Sequence, residues 1–212
     1  WDEAVAYWTR LKPDEDAIYD KNITIESDEI APEITWGTSP GHAISVDGVV
    51  PNPVEAPDAN TRSSWERALE YMDLAPGDPL EGLPIDAAFI GSCTNSRLSD
   101  LREVASVVEG RRVADGIKAI VVPGSSQVKK AAEAEGIDDV LTDAGFEWRE
   151  SGCSMCFFAG GEHFGERERV ISSTNRNFEN RQGPKTRTHL ASPTSVAASA
   201  IAGCIADVRK LA

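Results

Sequence analysis

The 212-residue chain carries 35 acidic and 21 basic side chains, a formal net charge of −14, with 41% hydrophobic residues and four cysteines. This is globular material long enough for a sizeable core, with neither the ~18-residue apolar run of a membrane span nor the flanks of a signal peptide. The acidity argues against nucleic acid as a partner, and four cysteines are too few for a disulfide-built secreted scaffold, so a reducing, cytoplasmic setting is expected.

The charge is uneven. Residues 1–60 hold 13 acids and 3 bases, whereas residues 172–212 hold 2 acids and 6 bases. Most of the acidity reads as a solvated face. Four of the late bases, Arg176, Arg181, Lys185 and Arg187, fall in one Asn-, Gly- and Pro-containing stretch. Clustered guanidinium groups suit carboxylate or phosphate ligands.

In chain order, residues 1–60 read as an irregular acidic arm broken by Pro13, Pro32, Pro40, Pro51, Pro53 and Pro57, with short strands expected at 22–26 and 43–50. A helix capped by Ser63 or Ser64 should run to Met72, burying Trp65, Leu69 and Met72. The run Ala75-Pro76-Gly77-Asp78-Pro79 breaks it. Residues 61–212 form the α/β domain. Strands are expected at 85–90, 119–122 and 170–173, with helices at 98–109, 127–135, 138–144 and 195–210, the last led by Pro193. Strand–helix alternation implies a parallel sheet in a three-layer α/β/α fold, with ligands gathered at loops after the strands' carboxyl ends. Three such loops are polar: 91–97, 123–126 and 172–177. The second lacks Walker spacing and reads as a strand-to-helix turn rather than a phosphate loop.

Cys93 lies in the first of these loops. Cys153 and Cys156 form Gly152-Cys153-Ser154-Met155-Cys156, and Cys204 sits in an apolar run, where a small buried hydrophobe in the last helix is expected. A lone C-x-x-C suits a redox pair, half a zinc site or part of an iron–sulfur site. His42, His163 and His189 lack recurrent ligand spacing, and His163 is nearest in sequence to a cysteine pair. Three thiolates without a fourth ligand also suit a four-iron cluster with one iron open, which acts as a Lewis acid on a substrate hydroxyl. Arg176 and Arg181 could then meet the carboxylates of a hydroxy acid. Asn95 could cap the following helix or face substrate, and Phe157 and Phe158 are expected to pack around the cysteines.

Three stretches carry a family resemblance: Ile90-Gly91-Ser92-Cys93-Thr94-Asn95-Ser96-Arg97, Gly152-Cys153-Ser154-Met155-Cys156, and Ser173-Thr174-Asn175-Arg176-Asn177-Phe178 through Arg181-Gln182-Gly183. Together they resemble the aconitase superfamily and, within it, the C-terminal half of isopropylmalate isomerase large subunits. The phrases Thr35-Trp36-Gly37-Thr38, Val121-Val122-Pro123-Gly124-Ser125, Ala144-Gly145-Phe146-Glu147-Trp148-Arg149 and Thr188-His189-Leu190 extend the likeness along nearly the whole chain.

The resemblance implies that Cys93, Cys153 and Cys156 hold a [4Fe-4S] cluster with one open iron, and that Asn175, Arg176 and Arg181 lie near cluster and substrate. It implies a hydro-lyase that isomerises a small dicarboxylate hydroxy acid by dehydration and rehydration, here 2- and 3-isopropylmalate in leucine biosynthesis. The proton-abstracting residue then belongs to a swivelling domain on a separate small subunit, so no catalytic base is assigned here.

Trp1 at the start suggests a fragment lacking the N-terminal half of the large subunit and inactive by itself. Phe157 to His163 and Pro184-Lys185-Thr186 depart from the usual pattern, which keeps homoaconitate or another alkylmalate open as substrate. A non-catalytic iron- or redox-responsive module and a structural zinc domain are the readings of other classes.

Overall fold

The structure, a computed structural model, describes residues 1–27, 30–158 and 161–211. It divides into two units, Trp1–Ile30 and Ala31–Ala212. In the first, helix α1 (Asp2–Trp8) carries Asp2 and Glu3 in its first turn, where negative charge complements the helix dipole, and it buries none of its residues. Trp1 and Trp8 meet edge to face at 5.9 Å. The strand expected at 22–26 does not form: Ile23 and Ile25 are exposed. Alternating Ile and Thr favour an extended chain, but a strand needs a neighbour for its N–H and C=O groups, and among the described residues this segment has none.

In the second unit, β1 (Glu33–Thr35) pairs antiparallel with β2 (Ala43–Ser45), Ile34 opposite Ile44. The strand expected through residue 50 stops at Ser45, because Gly48 N–H donates to the Ser45 carbonyl (2.8 Å) and closes a turn. Helix α2 (Ala59–Met72) begins four residues ahead of the expected cap. Asp58 caps it instead, its Oδ1 accepting from Thr61 N–H at 2.8 Å, and the helix buries Ala68, Leu69 and Met72.

Five strands then form one parallel sheet: β3 (Ala87–Ile90), β4 (Lys118–Val121), β5 (Glu147–Trp148), β6 (Arg169–Ser172) and β7 (Arg187–Leu190), in the order β5-β4-β3-β6-β7. Helices α3 (Leu98–Val108), α4 (Ser126–Ala134), α5 (Ile137–Asp143) and α6 (Pro193–Ala202) flank it, giving the α/β fold expected from the strand–helix alternation. The last helix is shorter than expected. Gly203 takes a left-handed conformation (φ 72°) and ends it, so Cys204 lies beyond the helix and is half-buried rather than a core residue.

Alternation along the strands sends side chains to two faces. Ala88, Ile90, Val121 and Ile171 join a core with Leu101, Val104, Leu141, Val196 and Ala200 from the helices. Ala87, Phe89, Ile120 and Val170 face the other way and pack with Met155 and Phe164. Met155 lies between Cys153 and Cys156, so the cysteine turn is itself pressed onto the sheet. Phe157 and Phe158, expected in that packing role, are largely exposed.

The strand order has one reversal. From β3 the chain steps to β4 and β5 on one side, then returns to place β6 and β7 on the other. The loops leaving β3 and β6 therefore diverge from adjacent strands, the crevice where open parallel sheets bind ligands.

No strand was expected at the polar run Arg187-Thr188-His189, yet all three are buried, and Thr188 and His189 have hydrogen-bond partners. His189 Nδ1–H donates to Thr35 O (2.7 Å), and its Nε2 accepts from Arg169 Nη1 (2.9 Å). Burial, with the Arg169 charge adding to it, pushes the His189 pKa down to about 3. Unfolded chains take up that proton near pH 6.5, so this group's contribution to stability is complete above that pH and is lost as pH falls toward 3. His189→Gln retains a donor and an acceptor without titrating. Denaturant titrations from pH 7 to 4 should give a shallower stability–pH slope for this variant, by up to about 1.4 kcal/mol per pH unit. Equal slopes would contradict a neutral His189.

Candidate functional site

The loop after β3 is fastened to β6 on both sides of Cys93. Gly91 N–H donates to Ser173 Oγ (3.0 Å), and the Ser173 hydroxyl proton is within reach of the carbonyls of Gly91 (3.3 Å) and Asn95 (3.2 Å). Asn95 Nδ2 donates to the Ser173 carbonyl at 2.6 Å. Asn95 therefore does not cap the following helix; α3 starts after Arg97, whose backbone N–H donates to Asp100 Oδ2 (2.9 Å). Cys93 stays exposed at the middle of the loop.

The loop after β4 supports it from the other side. Gly124 N–H donates to Ser96 O (2.9 Å), and Ser125 Oγ caps α4 by accepting from Val128 N–H (3.1 Å), the strand-to-helix turn expected there. A Cβ on Gly124 would stand 2.8 Å from Ser96 O and 3.2 Å from Ser92 O. Both are backbone atoms and cannot swing aside.

Cys153 precedes and Cys156 ends a single 3-10 turn, Ser154–Cys156, closed by Cys156 N–H donating to Cys153 O (2.9 Å). Cys153 is exposed and Cys156 half-buried, and all four cysteines are free thiols. Arg181 is buried against this turn: its Nε donates to Cys156 O (2.8 Å) and its Nη2 to Cys156 Sγ (3.3 Å). Gln182 Nε2 donates to Met155 O (2.8 Å). Arg149, just after β5, reaches Glu162 Oε1 (2.6 Å) and Ser154 Oγ (3.5 Å), tying the turn to the segment beyond it.

The basic stretch of residues 176–187 is divided by the fold. Asn175 and Arg176 are exposed on the loop after β6, and Arg181 clasps Cys156. Arg187 starts β7, paired with Asp73 at 2.9 Å, and Lys185 pairs with Glu166 at 2.7 Å. Ser173, Asn177, Gln182 and Arg149 escaped the sequence reading. Asn177 Nδ2 lies within hydrogen-bonding reach of Gly37 O (2.6 Å), Thr188 O (2.9 Å) and Thr35 Oγ1 (3.2 Å), joining the β6 loop to β1 and β7. Their only sequence signal was membership of the quoted phrases.

A cavity of about 390 Å³ lies at this carboxyl edge, lined by Thr35, Ala43, Asn95, Thr174, Leu190 and Ser192 among others. A larger one, about 530 Å³ around Arg112 and Asp143, contains none of the candidate site residues.

Among the described residues, no three His, Cys, Asp or Glu side chains converge as single-ion ligands. A cluster makes a different demand, since it is ligated at its corners by sulfurs that stand apart. Three free thiols on two segments, one of them accepting from the Arg181 guanidinium, are the kind of donors such a cluster uses. The histidines are engaged elsewhere: His42 stacks on Trp36 (4.5 Å), His163 Nδ1 meets Phe164 O (2.8 Å), and His189 lies in the sheet.

Gly124→Ala should destabilise the fold by about 1–3 kcal/mol through overpacking against the Cys93 loop. Urea unfolding checks this, and a loss below about 0.5 kcal/mol would mean the loop yields freely.

The aconitase family (aconitate hydratase) profile matches residues 1–203. The chain is 63% identical over 210 residues to a 3-isopropylmalate dehydratase large subunit of Cupriavidus necator, covering 99% of this chain and 79% of that protein. It is 55% identical over 211 residues to 3-isopropylmalate dehydratase large subunit 1 of Bradyrhizobium diazoefficiens, covering all of this chain. To the large subunit of Roseiflexus castenholzii it is 53% identical over 210 residues, covering 99% of this chain. It spans 44% of the length of each of these last two. The cysteine loops and the arginine-bearing loop thus lie on an α/β scaffold matched from residue 1 to 203, and the chain belongs to the aconitase family, among relatives named 3-isopropylmalate dehydratase large subunit.

Proposed function

We propose that this chain supplies the cluster-binding part of a hydro-lyase that interconverts 2-isopropylmalate and 3-isopropylmalate, a step of leucine biosynthesis, in the cytoplasm. The observation that carries the reading is the meeting of two free-cysteine segments with one arginine-bearing loop, which joins the Cys93 loop through Ser173 and the Cys153–Cys156 turn through Arg181. Cys93, Cys153 and Cys156 would hold a [4Fe-4S] cluster. When bound, the cluster supplies a Lewis-acidic iron that polarises a substrate hydroxyl toward departure as water.

The chain's own groups bind and orient. Arg176 is exposed on the β6 loop and free to turn its planar fork to a carboxylate. Arg181 commits two of its five N–H donors to Cys156, leaving three for a second carboxylate. Asn175, beside Arg176, offers an amide donor for the substrate. Asn95 spends one amide N–H on Ser173 and keeps its carbonyl oxygen and second N–H for the crevice. The proton-abstracting base is assigned to a small-subunit partner, in keeping with the large-subunit names of the relatives.

A second partner is the remainder of a large subunit. Supporting it are the longer relatives and the apolar side chains of Trp1, Trp8, Ile18, Ile23 and Ile25, all exposed on a unit whose helix buries nothing. Among the described residues no helix is long and apolar enough to cross a membrane. Domain boundaries at residues 60 and 61 remain our functional division, whereas the two compact units divide between Ile30 and Ala31.

One observation favours a second substrate. Phe157 and Phe158 present exposed rings beside the cysteine turn, where a bulkier alkylmalate or homoaconitate would approach; residues 159 and 160 of that departure lie outside the described residues.

Anaerobic reconstitution with iron and sulfide, read by absorption and electron paramagnetic resonance, tests the reading. A cluster lost in Cys93→Ser, Cys153→Ser or Cys156→Ser is expected. Tight zinc uptake with no cluster would overturn it in favour of a zinc domain, and a stable cluster without turnover of any alkylmalate in the assembled enzyme would favour a non-catalytic iron-responsive module. In that assembled enzyme, Arg181→Lys should lower kcat/KM at least about tenfold while the cluster still assembles, because an ammonium cannot serve Cys156 and a carboxylate together. Unchanged kinetics would remove Arg181 from the site.

A further inference from the structure

Two side chains outside the assigned set hold the two cysteine segments in place. Ser173 and Gln182 are both fully buried, and they open and close the stretch of chain that also carries Asn175, Arg176 and Arg181. Ser173 bonds to the Cys93 loop at Gly91 and again at Asn95, so Cys93 lies between two points fixed to one residue. Its own N–H donates to Phe89 O (3.0 Å), locking that residue to β3. Gln182 holds the other segment: its Nε2 donates to Met155 O, its Oε1 accepts from Thr188 Oγ1 (3.0 Å), and its backbone carbonyl accepts from Phe164 N–H (2.9 Å). The two are also joined to each other, since Gln182 Nε2 lies 3.4 Å from Ser172 Oγ, on the residue before Ser173.

We propose that Ser173 and Gln182 are positioning residues that set Cys93 at a fixed separation from the Cys153–Cys156 turn, and that neither contacts substrate. The assignment rests on the cluster reading above. A three-thiolate cluster requires sulfurs from distant parts of the chain at set distances, and segments held there before binding avoid the entropy of ordering them afterwards. Each cysteine segment bears at least one exposed cysteine, and hydrogen bonds add to whatever packing holds it. Ser173 supplies four bonds across the strand-order reversal, and Gln182 reaches the backbone between the paired cysteines. Arg181 gains its approach to Cys156 from the same anchor, as the residue before Gln182.

The test has one arm that needs no cluster. In the iron-free protein, amide exchange in Ser173→Ala should rise roughly five- to tenfold in residues 91–97, the loss expected for hydrogen bonds of ordinary strength, with residues 59–72 unchanged. Gln182→Met should do the same in residues 154–158. In anaerobically loaded protein, both variants should release iron to a chelator several-fold faster than the wild type. Asp58→Ala, which removes the α2 cap far along the chain from either cysteine segment, serves as a control matched for lost stability. Uniform exchange across the sheet in Ser173→Ala, or iron release no faster than in the control, would overturn the positioning role. If the wild type never forms a cluster, the functional reading fails; localised exchange would then still establish the tethers, whereas uniform exchange would remove them as well.

Discussion

The hydrogen bonds that join the ends of β3 and β6 through Ser173 are the constraint on which the rest of the site depends. β3 and β6 lie side by side only because the chain reverses its order of strand addition there, so two loops distant in sequence leave adjacent strands. Most of the candidate site residues among the described ones are borne by one of those loops or lie close to them. Cys93 rides on the first, and Asn175 and Arg176 on the second. The Cys153–Cys156 turn is brought in by Met155, whose burial on the sheet's second face fixes the turn through packing rather than polar bonds alone.

The fold was legible wherever burial produced an apolar run. β3 is wholly apolar, β4 is apolar after Lys118, β6 centres on Val170 and Ile171, and α3 and α5 bury residues in helical phase. Legibility ended where polar residues are buried in pairs. Arg187, Thr188 and His189 look like loop until the neutral histidine is seen between Thr35 O and Arg169. β5 has only two residues, below the length at which any pattern exists. The failed strand at 22–26 shows the reverse case, strand composition with no pairing partner among the described residues. The last helix was overextended because the apolar run continues past Gly203, while the backbone there turns left-handed.

The cysteines and arginines were legible as residues but not as a geometry. Nothing in the spacing of Cys156 and Arg181, 25 positions apart, indicates a contact between sulfur and guanidinium. Arg181 and Arg187, close in sequence, are parted by the fold: Arg181 lies against Cys156, whereas Arg187 is the first residue of β7 and pairs with Asp73. The acidic balance of −14 is likewise a sum of unlike parts. Acid is concentrated in the first 60 residues, while residues 172–212 hold six bases against two acids.

Cys93, Cys153 and Cys156 are proposed to hold one cluster together, with its fourth iron open to substrate. Mössbauer spectroscopy of the assembled enzyme, loaded anaerobically with isotopically enriched iron, tests this assignment most directly. One iron distinct from the other three is expected, with its signal alone displaced when 2-isopropylmalate is added. Four equivalent irons, or a spectrum indifferent to the substrate, would contradict it.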